Sequence, residues 1–354
     1  MKSERNFGLD VLRSAAIVLV LVSHGSKFFP TSLTQNYPDT FWSLGVFGVE
    51  LFYALSGFLI GGLLLRIQEN HAGAHSIVTF LVRRWLRTLP LYYVVLVALF
   101  FFPNLDPAPR ADTWSYFVMA QNLLSPMPAW NWFGPSWSLT IEEWSYVILP
   151  LIAFGFLGRH RQSLAIAGFV LIALGLVTRL VLSDPMEPWD ETVRKVVATR
   201  IDAIAYGVLL ASASARWGNA VLRRWAWRLL PISISICIVT YLFCQTRSAP
   251  PADMPTLHSF YARIFMVAAT GIALTAFIPI TQNWSAPRFV TAPVFFIARI
   301  SYALYLCHWP FLFILDKPQV EWKVPLFLLG TFVTAVVLSY GIEQPIMRLR
   351  PRQI

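Results

Sequence analysis

Apolar stretches recur along the whole chain, each broken off by a short polar connection. A bilayer core about 30 Å thick takes about 20 helical residues per crossing, and the stretches have about that length. They predict helices over 9–26, 44–65, 86–102, 139–156, 164–182, 196–213, 229–244, 264–280, 293–315 and 324–342. Arg200 and Asp202 interrupt the sixth. The expected fold class is all-α, a polytopic membrane protein of about ten transmembrane helices.

Composition agrees with that pattern. Of 354 residues, 56% are hydrophobic and 13% charged, and mean hydropathy is +0.59, more apolar than a water-soluble core of this size requires. A net charge of +10 would suggest nucleic acid in a soluble protein. Here the basic residues fall in alternate connections, the positive-inside pattern, and no nucleic-acid partner is expected. Lys2 and Arg5, Arg66 with Arg83, Arg84 and Arg87, Arg159 and Arg161, Arg216 with Arg223, Arg224 and Arg228, Arg288, and Arg348, Arg350 and Arg352 are assigned to the cytoplasmic side. Both termini are then cytoplasmic, and the expected location is a cell membrane crossed many times, a bacterial inner membrane in particular. The other connections are mixed or acidic, as at Asp184, Glu187, Asp190 and Glu191, and Trp114, Trp130, Trp132 and Trp137 suit an outer interfacial belt.

The first apolar segment carries a histidine and is followed by no small-residue cleavage site, so it reads as a retained helix rather than a signal peptide. Cys237, Cys244 and Cys307 are odd in number and lie inside apolar segments, which implies no disulfide framework. Without an internal repeat or long linker, residues 1–354 read as a single membrane domain with no separate soluble domain. No metal site is expected.

Ionisable groups inside apolar segments each cost a few kcal/mol on insertion scales and call for a reason. His24 and His308 both fall about 22 Å from the cytoplasmic end of their helices at 1.5 Å per residue. Glu50 lies about two turns in from the outer end of its helix, Glu142 and Glu143 about one turn in, and Arg200 and Asp202 open the sixth segment. These groups are candidates to converge on one chamber. Arg13 and His24 are separated by almost three full turns, so they share a helix face about 16 Å apart along the axis. Asp10, one turn before Arg13, is as well placed to pair with it as to serve a site. Arg83, Arg84 and Arg87 form an ordinary basic flank in the bland reading, but Arg84 and Arg87 share a helical face on which two guanidinium forks can clamp phosphates. Of the adjacent carboxylates Glu142 and Glu143, only one is expected to face the bundle interior, because neighbours on a helix point about 100° apart. Glu343 reads as a helix-end residue, Arg299 as a snorkelling cation, and His71, His75, His160 and His258 have no assigned role.

The whole chain from about Phe7 to Met347 resembles the acyltransferase-3 family of membrane acyltransferases. The resemblance rests on Leu9-Asp10-Val11-Leu12-Arg13 followed by His24, on the run from Gly48 through Glu50 and Ser56-Gly57 to Ile60, and on Arg83-Arg84 with Arg87 and Pro90. It continues with Ser136-Trp137-Ser138-Leu139-Thr140-Ile141-Glu142-Glu143 and with Ile300-Ser301-Tyr302-Ala303-Leu304-Tyr305-Leu306 before His308. The resemblance implies a ten-helix membrane domain that moves an acyl group, commonly acetyl, from cytosolic acyl-CoA to a hydroxyl of a cell-envelope glycan or similar acceptor, such as a lipid-linked glycan. It implies no permanently bound cofactor, His24 as the essential histidine, Arg13, Arg84 and Arg87 as essential arginines, and Glu142 as the better matched carboxylate. Trp144 and Ser145 stand where the family usually has Gln and Phe, and Cys307 stands where it usually has Trp. Those departures leave the expected chemistry intact and bear on the acceptor pocket. Many relatives carry a further hydrolase-like domain, which this reading does not include.

Together the residues and the resemblance lead to one expected arrangement. Arginines hold the CoA phosphates, His24 with an unperturbed pKa near 6.5 acts as general base, and Glu142 orients its imidazole or stabilises the imidazolium. Glu50, Glu143, Asp10 and His308 support the site. Ser56 and Cys307 are poor nucleophile candidates, the first because no adjacent base is evident. A proton-coupled transporter or flippase with an intramembrane His/Glu relay also fits His24 and Glu142, but it gives the arginines no role. A non-catalytic scaffold leaves the buried charges unexplained.

Overall fold

The computed structural model describes residues 5–34, 38–70, 73–109, 112–124, 132–158, 162–183, 187, 189–244, 256–317 and 322–351. Lys2, His71, Trp130, Arg159, His160, Arg161, Asp184 and Arg352 lie outside the described residues. Every regular element among the described residues is helical. Ten helices carry the architecture: α1 (Phe7–Gly25), α2 (Pro38–Glu69), α3 (Ala74–Phe101), α4 (Ser136–Pro150), α5 (Ser163–Leu182), α6 (Ala205–Trp217), α7 (Asn219–Cys244), α8 (Met266–Thr275), α9 (Arg288–Ile314) and α10 (Lys323–Leu338).

Among the described residues, eight helical stretches are long and apolar enough to cross a membrane, from Phe7–Phe28 to Lys323–Arg348. The protein is a polytopic membrane protein. Its surface is inverted relative to a soluble one: Phe101, Phe169, Val181, Ile232, Leu329 and Val337 are exposed on these helices while charged groups are buried between them. Lipid tolerates the former, and the bundle interior must satisfy the latter.

The remaining two predicted segments depart from a simple span. The stretch read as 196–213 begins with a 3₁₀ turn, Ala198–Arg200, and only then enters α6. That helix has 13 residues, about 20 Å, short of a 30 Å core. The stretch read as 264–280 is divided into α8 and a short helix, Phe277–Thr281. In the opposite direction, α3 starts 12 residues before the expected residue 86, a difference read from its first residue Ala74. Arg83 and Arg84, expected at the entrance of the third helix, are therefore well inside it with Arg87.

Buried ion pairs explain the irregular sixth segment. Arg200 makes a two-pronged bond to Glu50 at 2.7 and 2.8 Å, and Arg179 makes another to Asp202 at 3.0 and 2.9 Å. Tyr206 adds its hydroxyl to Asp202 at 2.5 Å. A charged side chain in this interior is tolerable only when paired and hydrogen-bonded, so the backbone turns to bring the partners together. These contacts tie the segment to α2 and α5.

α1 packs on α2 and α9, and α2 packs on α6 and α8. The α2–α6 crossing is a backbone contact. A Cβ on Gly57 would lie 2.0 Å from the Ile204 carbonyl oxygen, and one on Gly207 would lie 2.2 Å from that of Ala54. Small residues at both positions are what let the two helices touch.

Candidate functional site

Three cavities succeed one another through the bundle, each sharing walls with the next. A basic cavity at one end is lined by Arg66 on α2, by Arg83, Arg84 and Arg87 on α3, and by Arg350 beyond the last helix. Arg84 and Arg87 also line the middle cavity, together with Arg13, Ser56, Glu142 and Tyr146. The middle cavity shares Val49 and Tyr305 with a third, lined by His24, Trp42, Trp137, Arg194, Lys195 and Trp309. Tyr305 is held at that junction by its hydroxyl, 2.5 Å from Ser138 Oγ and 3.3 Å from the Pro135 carbonyl.

His24 sits in the last turn of α1, half-buried in the wall of the third cavity. Its Nδ1 is 2.9 Å from Nε2 of His308 on α9, the rings are nearly parallel at 18°, and His308 is fully buried. His308 Nδ1 in turn lies 3.3 Å from the Leu304 carbonyl, which can only accept, so Nδ1 carries the proton. In a neutral imidazole that leaves His308 Nε2 as an acceptor. His24 must then donate from Nδ1, and its own Nε2 keeps a lone pair. The tautomer is assigned by the hydrogen-bonding partners. The pair thus presents one basic nitrogen that belongs to His24.

Glu142 does not reach that imidazole. Its Oε1 accepts the Ser56 hydroxyl at 2.5 Å and the hydroxyl of Tyr146, one turn further along α4. The hydrogen-bond partner of the His24 imidazole is His308. The physical reason is rotational: Glu142 faces the middle cavity, whereas His24 faces α9. Ser56, expected to lack an adjacent base, has a carboxylate beside it.

The neighbouring carboxylates have other partners. Glu143 is buried on the side facing α3, where Oε1 accepts from Thr88 at 2.5 Å. Glu50, expected among the convergent charges, is 1% exposed, is bound to Arg200 and lines none of the three cavities. Asp202 is likewise held by Arg179 and does not join the chamber. Asp10 bonds Arg5 at 3.0 Å and Arg13 at 3.4 Å, which leaves Arg13 in the wall of the middle cavity. Arg83 turns from that cavity and donates to the Pro351 carbonyl.

The sequence model of the acyltransferase-3 family, described as an acyltransferase domain, matches residues 6–344. The chain belongs to this family. It is 27% identical over 368 aligned residues to the peptidoglycan O-acetyltransferase OatA of Listeria monocytogenes serovar 1/2a, covering 96% of this chain and 55% of the relative. It is 23% identical to the O-acetyltransferase OatA of Staphylococcus aureus strain NCTC 8325, covering 96% of this chain and 57% of the relative. The chain thus spans little more than half the length of these relatives. No solved structure matches it.

Within this acyltransferase-3 chain, several cavity residues carried no earlier assignment. Arg194 is buried and lies over Trp137 at 4.6 Å and Trp42 at 5.3 Å, an aromatic clamp that holds a cation in the histidine cavity. Burial opposes ionisation of the neighbouring Asp190, but Arg194 and Lys195 hold its carboxyl well below the usual range. Tyr146 and Tyr305 were indistinguishable from other apolar-segment aromatics. In the sequence Arg350 reads only as part of a basic flank.

Proposed function

We propose that this protein is a membrane O-acyltransferase that moves an acyl group, acetyl in the simplest case, from cytosolic acyl-CoA to a hydroxyl of a cell-envelope glycan. The observation that carries the reading is the sequence of three cavities, arginine-walled at one end and histidine-bearing at the other, with shared walls between them. Family membership supports acyl transfer, and the names of the OatA relatives support a peptidoglycan-type acceptor. The basic ends of α2, α3 and the segment after α10 support a cytoplasmic arginine cavity with both termini on that side, in the cell membrane of a bacterium.

In this reading the CoA phosphates lie among the arginines and the pantetheine arm runs through the middle cavity. Arg13 and His24, on one face of α1, are separated by about 16 Å of helix rise, a span suited to such an arm. The acceptor hydroxyl enters the histidine cavity and gives its proton to His24 Nε2. Its oxygen attacks the thioester carbonyl, the carbonyl–sulfur bond breaks, and the imidazolium returns the proton to the leaving thiolate. His308 fixes the tautomer that makes this possible. Glu142 holds Ser56 and Tyr146 along the path of the arm.

The test uses purified protein, labelled acetyl-CoA and a panel of glycan acceptors. Label should move to the acceptor with wild type. His24→Ala should reduce transfer at least about a thousandfold, within the usual scale of general-base catalysis, while acetyl-CoA still binds. Persistent transfer by the variant removes His24 as the base. Absence of transfer by wild type, with ion-coupled substrate uptake in vesicles, would point to the transporter reading.

A further inference from the structure

Acyl-CoA carries its anionic groups in a fixed order, with the diphosphate beside the pantetheine arm and the ribose 3′-phosphate beyond it. The arginines of this protein are arranged in two matching groups. Arg84 and Arg87 border both the middle and the basic cavity, whereas Arg66, Arg83 and Arg350 border the basic cavity alone. No carboxylate lines the basic cavity among the described residues.

Arg350 is the telling member. It follows the last helix, so its position depends on how the chain is fastened there, and the neighbouring Pro351 carbonyl is held by the Arg83 guanidinium. The Nε and Nη2 atoms of Arg350 are buried with no hydrogen-bond partner in the structure. Buried donors are costly to leave unmade, and Arg350 stands in the wall of the basic cavity, where a guanidinium is suited to a planar or tetrahedral oxyanion. Burial, together with Arg87, Arg84 and Arg83, lowers the Arg350 pKa to about 10, and Glu343 offsets this in part. The group is therefore charged at neutral pH and sits in an excess of positive charge.

We propose that Arg350, with Arg66 and Arg83, forms a seat for the ribose 3′-phosphate of the donor, one station beyond the diphosphate held at Arg84 and Arg87. This rests on the acyl-CoA reading above and adds to it a specificity device: the protein distinguishes CoA thioesters from thioesters lacking the 3′-phosphate. The pantetheine and diphosphate of both compounds meet the same residues, so the difference in affinity reports the seat alone.

Binding of acetyl-CoA and of acetyl-3′-dephospho-CoA to the detergent-purified full chain, measured by titration calorimetry, tests this. Wild type should prefer acetyl-CoA by about tenfold or more, the scale of one charge-assisted contact. Arg350→Ala should weaken acetyl-CoA to the level of the dephospho compound and leave the latter within about twofold, which also shows that the variant is folded. Arg350→Lys should restore part of the preference. Arg66→Ala, at an exposed position, should narrow the preference in the same way if Arg350→Ala proves unstable. Equal affinity of wild type for both compounds, or equal weakening of both by Arg350→Ala, overturns the 3′-phosphate seat while leaving the donor reading intact. Failure of wild type to bind either compound overturns the donor reading itself.

Discussion

At the scale of single residues, the chain of contacts Leu304 carbonyl, His308, His24 determines which nitrogen is available for chemistry. In the proposed reaction His308 acts through His24 rather than on a substrate, which would make it a positioning residue with a distinctive signature. His308→Phe keeps a ring in the same buried space but removes the acceptor for His24 Nδ1–H. It should lower kcat by about ten- to a hundredfold, the range seen when the hydrogen-bond partner of a metal-bound histidine is lost, and should alter the pH–rate profile. His308→Gln, whose amide oxygen can accept that proton, should recover much of the loss. A purely space-filling role would make Phe the better replacement, and an unchanged pH profile in both variants would remove His308 from the proton path. The contrast with Glu50 is informative. Both groups are ionisable and buried, yet Glu50 has a dedicated cation in Arg200 and lies off the cavities, so its charge is accounted for by structure.

At the scale of elements, α2 lines the middle cavity with Ser56 and packs closely on α6 through the adjacent Gly57. Gly57→Ala would press a methyl group into the Ile204 carbonyl and should abolish recovery of monodisperse protein from detergent. Gly62→Ala, five residues on, meets nothing within 4 Å and should be neutral or slightly stabilising through helix propensity. Comparable behaviour of the two variants in size-exclusion chromatography would mean that the crossing is not rigid. Helices of this kind are legible in sequence because lipid demands long apolar runs, and eight stretches match that demand. The short α6 and the division of the 264–280 stretch were not legible as such, since hydropathy averages over a break, which before α6 accompanies the buried pairs of Arg200 and Asp202. Depth along a helix was also readable, and His24 and His308, both read at about 22 Å, meet in the structure. Rotation between helices was not. That is why Glu142 was expected on the imidazole and lies on Ser56 and Tyr146 instead, and why Arg350 looked like any basic flank.

At the scale of the whole molecule, the proposed function makes sidedness a consequence of the order of the cavities. If arginines receive the donor at one face and the histidine cavity receives the acceptor from the other, neither substrate has to cross the bilayer. Sealed membrane vesicles of defined orientation separate the two faces. Inside-out vesicles, with the cytoplasmic face outward, should consume added acetyl-CoA when acceptor is enclosed. Right-side-out vesicles should consume it at less than about a tenth of that rate, because a polyanion of this size does not permeate and the outward cavity offers Arg194 and Lys195 already engaged with Asp190. Permeabilising the right-side-out preparation should bring the two rates together. Equal rates before permeabilisation would mean that donor and acceptor share one entrance, and the three cavities would then be steps of a common pocket instead of a passage between faces.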